Sequence, residues 1–191
     1  MNPREIVLWV NSNDMVLGKL MVSDCHERHL MHRLGIVFLY NSLGRVFITK
    51  RHSEDHWMPG KTDATASFHV PADESWEDCV GRETFAQTGF RRTPEYIGHF
   101  AIDREPEHVY ARVYRATFDG PVTQNPHLHE AGQFMLVDDI DQGLAKENRT
   151  PWLSSAWQTY KEKLRDESRT QQMKAFNEQF NQRYHYSPKK N

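Results

Sequence analysis

One acidic residue, Glu83, lies on a largely apolar face of a helix that the sequence predicts between Ser75 and Gly89. At about 100° per residue, five side chains fall within about 60° of Glu83: Trp76, Cys79, Val80, Ala86 and Gln87. A carboxylate on such a face is costly unless something pairs with it. Carboxylate oxygens are the hard ligands that Mg²⁺ requires, and an amide oxygen is a neutral substitute. The face therefore predicts a partner for Glu83, and it also carries the amide oxygen of Gln87.

The elements around this helix alternate between strand and helix patterns. Ser75 is a suitable N-cap with Asp78 three residues on, and Gly89 is a suitable C′ residue. A continuous apolar run at 34–40 predicts a strand buried on both faces. Helical spacing of apolar residues over 152–164 predicts a closing helix that begins after Thr150 and Pro151. Other predicted strands cover residues 5–10, 15–22, 45–50, 63–70, 96–102, 108–118 and 132–137. The fold class is α+β, an αβα sandwich with a mixed central sheet.

A chain of 191 residues suits one domain with appendages. We expect an N-terminal strand hairpin at 1–30, a core at 31–145 and a C-terminal helical segment at 146–191. The tail at 187–191 is expected to fray. The strand at 6–10 and the apolar stripe of the last helix are expected contact surfaces for a homodimer.

Composition excludes several classes of partner. The net charge of -2 gives no basic field for nucleic acid. No apolar run approaches the roughly 20 residues that span a bilayer. The two cysteines, Cys25 and Cys79, make no disulfide framework, so we expect a cytoplasmic location.

The helix belongs to a longer motif at 68–90, FHVPADESWEDCVGRETFAQTGF, which resembles the Nudix box G-x5-E-x7-R-E-U-x-E-E-x-G-U, where U is apolar. Five positions are in register: Glu74, Arg82, Glu83, Gly89 and Phe90. Four positions differ from the pattern: Phe68, Thr84, Ala86 and Gln87. The resemblance implies that Arg82 is structural and orients the box by pairing with Glu74. It also implies that two of the three metal-binding glutamates are missing, so Mg²⁺ or Mn²⁺ would bind weakly.

The flanks resemble the isopentenyl-diphosphate-isomerase-like branch of the Nudix superfamily, closely and without a gap at 32–90 and loosely at 5–165. Eight residues carry this resemblance: Lys50, Arg51, Pro59, Gly60, Asp63, Ala64, Thr65 and Ala66. Lys50 and Arg51 end a strand beside the expected pocket, and with Lys61 they are candidates to bind a diphosphate. The alternative for Lys50 and Arg51 is an ordinary charged strand end.

The isomerase reaction in this branch requires a cysteine acid/base, a partner glutamate and a metal held by His and Glu. The cysteine position is Ser67, whose hydroxyl pKa is too high for proton transfer at neutral pH. His32 and His69 occupy metal-ligand positions, and a ligand carboxylate falls near Glu107. The second acidic position is Val109. With eleven histidines in the chain, chance placement is the alternative for both imidazoles.

Two further assignments concern metal binding. In the hydrolase branch a glutamate near the strand at 132–137 contributes to the metal or general-base site, which makes Glu130 a candidate. His26, His29 and His32, at a spacing of three, could share a helix face as metal ligands or simply be solvated.

Three functions follow from the resemblance. The first is a Mg²⁺- or Mn²⁺-dependent hydrolase of a nucleoside-diphosphate-linked or similar small molecule, with Glu83 and Glu130 catalytic and Gln87 and His69 assisting the metal. Its activity would be weak because Ala86 and Gln87 replace glutamates. The second is a module that binds such a diphosphate without turnover. The third is an isomerase-like enzyme, which Ser67 and Val109 argue against.

Overall fold

The computed structural model describes residues 4–144 and 148–184. The expected fraying at 187–191 lies outside the described residues. The described strands are β1 (Ile6–Val10), β2 (Val16–Met21), β3 (His32–Tyr40), β4 (Val46–Arg51), β5 (Thr62–Asp63), β6 (Ala66–His69), β7 (Glu95–Arg104), β8 (Glu107–Thr117) and β9 (His129–Met135). The described helices are α1 (Val22–Glu27), α2 (Trp76–Thr88), α3 (Val137–Leu144) and α4 (Leu153–Tyr184).

Strand β3 is the centre of a mixed sheet. It runs parallel to β8 along its whole length, from His32 beside Val109 to Tyr40 beside Thr117. Its other edge is antiparallel to β1, β6 and β4 in turn. This strand pairing places three strand ends at the same end of the sheet: the first residue of β3, the last residue of β6 and the first residue of β8. This end of the sheet carries the histidines described below.

Helices cover both faces of the sheet, which confirms the αβα architecture. On one face, Trp76, Cys79 and Val80 of α2 pack against strand residues such as Phe68. On the other face, Trp157 and Tyr160 of α4 pack against strand residues such as Phe38. The predicted closing stripe is core, since Trp152, Trp157 and Tyr160 are all at most 2% exposed. Burial of such large side chains is the main source of stability for the domain.

The box helix begins and ends as its sequence predicts. Ser75 is the N-cap and its side chain accepts a hydrogen bond from the backbone N–H of Asp78 at 3.1 Å. Gly89 ends the helix with a φ of 76°, in the left-handed region that glycine adopts without strain. The helix therefore presents Glu83 from a fixed position.

The segment at 23–32 differs from its prediction. Helix α1 ends at Glu27, His29 has a φ of 55°, and His32 is already in β3. The three histidines therefore do not share a helix face, because the chain leaves the helix between the first and the second. A smaller difference is that β9 begins at His129, so Glu130 lies inside the strand.

The second half of α4 is largely exposed. Met173, Phe176 and Phe180 are 65%, 65% and 47% exposed. Both cysteines are buried and unbridged. Among the described residues, no helix combines the length and the apolar character that crossing a bilayer requires.

Candidate functional site

A polar cleft of about 480 Å³ lies between α2 and the strand residues beside it. Its described lining includes Glu5, Asp55 and Glu83, against a single formal cation, Arg51. Predicted residues Glu83, Gln87, His69 and Arg51 thus meet at one cleft. Three carboxylates and one guanidinium leave the lining with a formal excess of negative charge.

Glu83 is tethered at both carboxylate oxygens. Oε1 accepts a hydrogen bond from Arg82 NH1, and Oε2 accepts one from Gln87 Nε2 at 3.0 Å. Gln87 is 3% exposed and also donates to the carbonyl of Ser67 at 3.2 Å. The amide nitrogen of Gln87 faces two oxygen acceptors. A glutamate at this position would place its own carboxylate against those oxygens and would need a cation between them. Helix α2 therefore supplies one carboxylate to the cleft, and Arg82 and Gln87 of the same helix donate the hydrogen bonds that stabilise it.

Arg82 contacts Glu74, the acid with which the resemblance implies that it pairs. Its Nε donates to Glu74 Oε1 at 2.9 Å, and the guanidinium also contacts Glu74 Oε2. These bonds lower the pKa of the Glu74 carboxyl below its usual value.

Glu5 is a cleft residue that sequence reasoning missed. It precedes β1 and lines the same cleft as Glu83. Burial, reinforced by the nearby charge of Glu83, raises the pKa of the Glu5 carboxyl. A second acid therefore reaches the box helix from the N-terminal segment, a placement that depends on the pairing of β1 with β3.

Arg51 is the centre of a buried network. Its NH1 donates to Asp63 Oδ2 at 3.0 Å and to Ser67 Oγ at 3.2 Å, and its NH2 donates to Asp55 Oδ2 at 2.8 Å. Its Nε donates to the carbonyl of Trp57 at 3.2 Å. Arg51 is 3% exposed, and all three of its nitrogens have acceptors. The expected role as a free diphosphate fork does not fit this arrangement, because two buried aspartates already neutralise the guanidinium.

Lys50, Lys61 and Glu130 lie outside the cleft lining, as far as the described residues extend. Lys50 Nζ pairs with Glu130 Oε2 at 2.9 Å and lines a separate cavity of about 520 Å³. Glu130 also accepts a hydrogen bond from the backbone N–H of Ser53 at 2.8 Å. These bonds to Ser53 and Lys50 lower the pKa of Glu130 to about 2. The backbone carbonyl of Lys61 accepts a hydrogen bond from the backbone N–H of Arg51. Lys50 and Arg51 therefore line different cavities, and Lys50 and Glu130 pair with each other rather than with a residue of the cleft lining.

Three histidines converge at the end of the sheet. His26 comes from α1, His32 begins β3 and His69 ends β6, and one ring nitrogen from each lies within 4.8 Å of the others. His32 and His69 are 0% and 4% exposed. Glu107, 2% exposed, places Oε1 at 3.6 Å from His26 Nδ1. The Trp57 ring lies against His26 at an interplanar angle of 33°, with ring centroids 4.1 Å apart, and its Nε1 donates to Glu107 Oε2 at 2.9 Å.

The imidazoles of this histidine triad (His26, His32 and His69) are neutral. Burial lowers the pKa of His26 to about 3 and that of His32 to about 4, and burial also holds the pKa of His69 well below its ordinary value. His32 Nδ1 lies 3.1 Å from the carbonyl of Leu30, to which it donates in the tautomer that leaves a lone pair on Nε2. Within the described residues, His26 Nε2, His32 Nε2 and His69 Nδ1 are buried without a hydrogen-bond partner.

The burial and the donor types of these residues indicate which metal ion they would bind. Buried polar nitrogens without partners are rare and costly, and a divalent ion would satisfy three of them at once. Three neutral imidazoles suit a transition metal such as Zn²⁺ rather than Mg²⁺, which prefers oxygen ligands. Helix α2, with one tethered carboxylate, fits Mg²⁺ poorly. The donor set therefore favours a transition metal at the histidine triad, with His69 joining that centre to the cleft.

His129 is a second feature that the sequence did not indicate. It lines the cleft, is 7% exposed, and neither ring nitrogen has a hydrogen-bond partner among the described residues. Burial lowers the pKa of its imidazole to about 4. Polar loop residues precede it in sequence, and no residue pattern there distinguishes it from the other histidines.

Comparison with known proteins agrees with this architecture. Residues 30–156 match the family described as NUDIX domain, so the chain belongs to the Nudix family. An uncharacterized Nudix hydrolase of Pseudomonas aeruginosa is 29% identical over 119 residues, which cover 62% of this chain and 70% of that protein. Isopentenyl-diphosphate Delta-isomerase 1 of Photorhabdus laumondii is 27% identical over 164 residues, which cover 80% and 93%.

A solved structure, DR0079 from Deinococcus radiodurans, has the same fold. Its TM-score is 0.70 at 21% identity, and the match covers 82% of this chain and 98% of that chain. The relatives thus include both hydrolases and isomerases.

Proposed function

We propose that this Nudix protein binds a diphosphate-linked small molecule in the cleft beside α2 with the help of a divalent transition metal. His26, His32 and His69 would hold the metal, and Glu107 lies beside His26 Nδ1. The observation that carries the proposal is the set of three buried, unpartnered imidazole nitrogens next to a polar cleft. When bound, the metal would supply positive charge that offsets phosphate oxygens.

The charge of the cleft supports metal dependence. A diphosphate carries at least two negative charges, and the described lining already has three carboxylates against Arg51. Like charges at close range repel by several kcal/mol in a partly buried site. Arg51 is committed to Asp55 and Asp63. Binding of the anion without a metal ion is therefore unfavourable.

The same geometry supports slow hydrolysis at most. Of the three metal-binding glutamates of the box, Glu83 is the one retained, and its two oxygens are held by Arg82 and Gln87. A general base must be free to accept a proton from the attacking water. Ala86 offers no ligand for a second metal ion. We infer that diphosphate binding is the main activity and that turnover is slower by several powers of ten than is ordinary for enzymes.

Isomerisation is the less well supported function. Its proton-transfer step needs an acid at the position of Ser67, whose Oγ donates to Asp63 Oδ2 at 2.7 Å. The second acidic position is Val109, which is 0% exposed. A serine hydroxyl and a valine cannot exchange protons with carbon near neutral pH.

Calorimetric titration with ADP-ribose, a nucleoside diphosphate linked to a second sugar, tests the proposal. We expect binding with Zn²⁺ or Mn²⁺ present and at least tenfold weaker binding after chelation, since about 1.4 kcal/mol is a factor of ten. Parallel product analysis with Mg²⁺ and Mn²⁺ measures turnover of the same compound.

The double variant His32→Ala/His69→Ala should lose the metal-dependent part of ADP-ribose binding. The matched control is His127→Ala, because His127 is an exposed loop histidine. Equal ADP-ribose affinity with and without metal would contradict the binding proposal. Turnover at ordinary enzyme rates would contradict the inference of slow hydrolysis.

A further inference from the structure

A second group of metal-binding residue types lies where two turns meet. His29 follows α1, and Glu105 and His108 belong to the turn and first residues that join β7 to β8. One ligand atom from each of these three residues lies within 4.8 Å of the others. His29 Nδ1 is 2.7 Å from Glu105 Oε1, and His108 Nε2 is 3.9 Å from the same oxygen. Unlike the histidine triad, this group is at the surface, with His29 56% and Glu105 69% exposed.

The tautomer of His108 is set by a neighbouring acid. Its Nδ1 lies 2.8 Å from Asp103 Oδ1, so the nitrogen donates its proton to that carboxylate. In a neutral imidazole this leaves a lone pair on Nε2. A carboxylate that accepts from one ring nitrogen while the other binds a metal is a common arrangement around metal-ligating histidines.

The free nitrogen of His108 faces an oxygen that also carries lone pairs. His108 Nε2 is buried and makes no hydrogen bond within residues 4–144 and 148–184, and the Glu105 carboxylate stands opposite. Two lone pairs that face each other repel unless a positive charge lies between them. A proton on His108 or a metal ion between the two groups would each remove the conflict.

We propose that His29, Glu105 and His108 form a second, surface site for a divalent transition metal such as Zn²⁺ or Co²⁺. Two imidazoles and one carboxylate are a donor set that such ions accept, with water in the remaining position. Ligand atoms about 2.0–2.1 Å from Zn²⁺ lie about 3.3 Å apart in a tetrahedron. The observed separations of 2.7 and 3.9 Å bracket that value, and the ligand atoms of His29 and His108 lie within 4.8 Å of each other. Side-chain shifts of up to about 1.5 Å would therefore close the site.

Backbone geometry positions His29 for this role. Its φ of 55° lies in the left-handed region, which non-glycine residues adopt only when their surroundings impose it. The backbone N–H of His29 donates to the carbonyl of His26, and the next residue, Leu30, donates to the carbonyl of Cys25 at 2.8 Å. Hydrogen bonds within the turn therefore fix its backbone. The centroid of the His29 ring lies 5.4 Å from the centroid of the His108 ring.

The surface site is distinct from the histidine triad, although ligands of the two sites alternate along the chain. His29 lies between His26 and His32 in sequence, and His108 follows Glu107. The inference goes beyond the proposed function and does not depend on it, because no residue is shared. We expect the surface site to be the weaker one, since its ligands are solvated and lose side-chain freedom on binding.

Titration of the full chain with Co²⁺, followed by calorimetry and by the visible absorption of bound Co²⁺, tests the surface site. The double variant His29→Ala/His108→Ala should lose one equivalent of bound metal. Asp103→Ala should weaken the same equivalent by about 10–100-fold, because it removes the acid that orients His108. His127→Ala is the control for removal of an exposed histidine.

The outcomes separate the two metal sites. Loss of one equivalent in His29→Ala/His108→Ala, with retention of any equivalent that His32→Ala/His69→Ala removes, supports the surface site. If wild type binds a single equivalent that disappears in His29→Ala/His108→Ala, the surface site stands and the triad fails. Equal stoichiometry and affinity in wild type and His29→Ala/His108→Ala would overturn the surface site. Urea denaturation of each variant checks that the fold is retained.

Discussion

Replacement of Arg51 by methionine should destabilise the protein far more than the same change at the adjacent Lys50. Arg51→Met removes four side-chain hydrogen bonds, to Trp57, Asp63, Ser67 and Asp55. It also leaves two acids without their cation, and the Asp55 and Asp63 side chains are only 3% and 1% exposed. Breaking a buried ion pair by removing one partner costs about 3–5 kcal/mol. Methionine retains much of the apolar stem, so little of this cost comes from packing.

Lys50→Met is the matched control. Lys50 pairs with Glu130 in a bridge whose side chains are 50% and 26% exposed. Solvent screens such a pair, and its loss costs between about 0 and 1 kcal/mol. The two variants therefore differ by about 2–5 kcal/mol if Arg51 is a structural centre.

Urea denaturation followed by circular dichroism measures the difference. With a slope of about 2 kcal/mol per M, Arg51→Met should lower the midpoint by about 2 M. Arg51→Lys keeps the charge and loses the planar fork, so it should fall between wild type and Arg51→Met and would report the effect if Arg51→Met does not fold. An Arg51→Met midpoint within about 0.5 M of wild type, by the same relation, would refute the reasoning.

Three further predictions concern other residues. Ala86→Glu/Gln87→Glu should raise Mg²⁺ affinity and ADP-ribose hydrolysis at least tenfold by restoring box carboxylates, with each 1.4 kcal/mol giving about a factor of ten; unchanged Mg²⁺ titration and turnover would contradict this. His129, with a folded-state pKa lowered to about 4, contributes stability that is present above about pH 6.5 and is lost as pH falls towards about 4. Between about pH 7.5 and pH 5, protonation linked to His129 should lower the unfolding free energy of the wild type by about 2 kcal/mol. The His129→Gln variant should lack this decrease, and the same pH dependence of unfolding in both proteins would disprove the prediction. Gly35→Ala places a Cβ 2.2 Å from a ring carbon of Phe68, so it should cost about 1–3 kcal/mol, and an unchanged melting temperature would show that the ring moves freely.

Local signals in the sequence were sufficient for most of the fold. The Ser75 cap and Gly89 terminus of α2 follow from side-chain and backbone preferences that act within a few residues. The apolar run of β3 indicates a buried strand for the same reason, since its burial requires only that the sheet be covered on both faces. Periodicity likewise located the buried start of α4.

The site depended on contacts that are distant in sequence. His32 was recognised as a ligand position through resemblance, but its approach to His26 and His69 depends on the end of α1 and on the pairing of β3 with β6. The commitment of Arg51 to Asp63 depends on where β5 begins beside β4. Short-range patterns carry no information about contacts between residues that are distant in sequence. The sequence alone therefore assigns charged residues near a motif to the substrate instead of to each other.

The central claim is that a divalent transition metal binds to His26, His32 and His69 rather than to the Nudix helix. Anomalous diffraction from crystals soaked in Zn²⁺ tests it most directly. We predict an anomalous peak about 2.0–2.1 Å from a ring nitrogen of each of the three histidines. A peak at Glu83, with none at the three histidines, would contradict the claim.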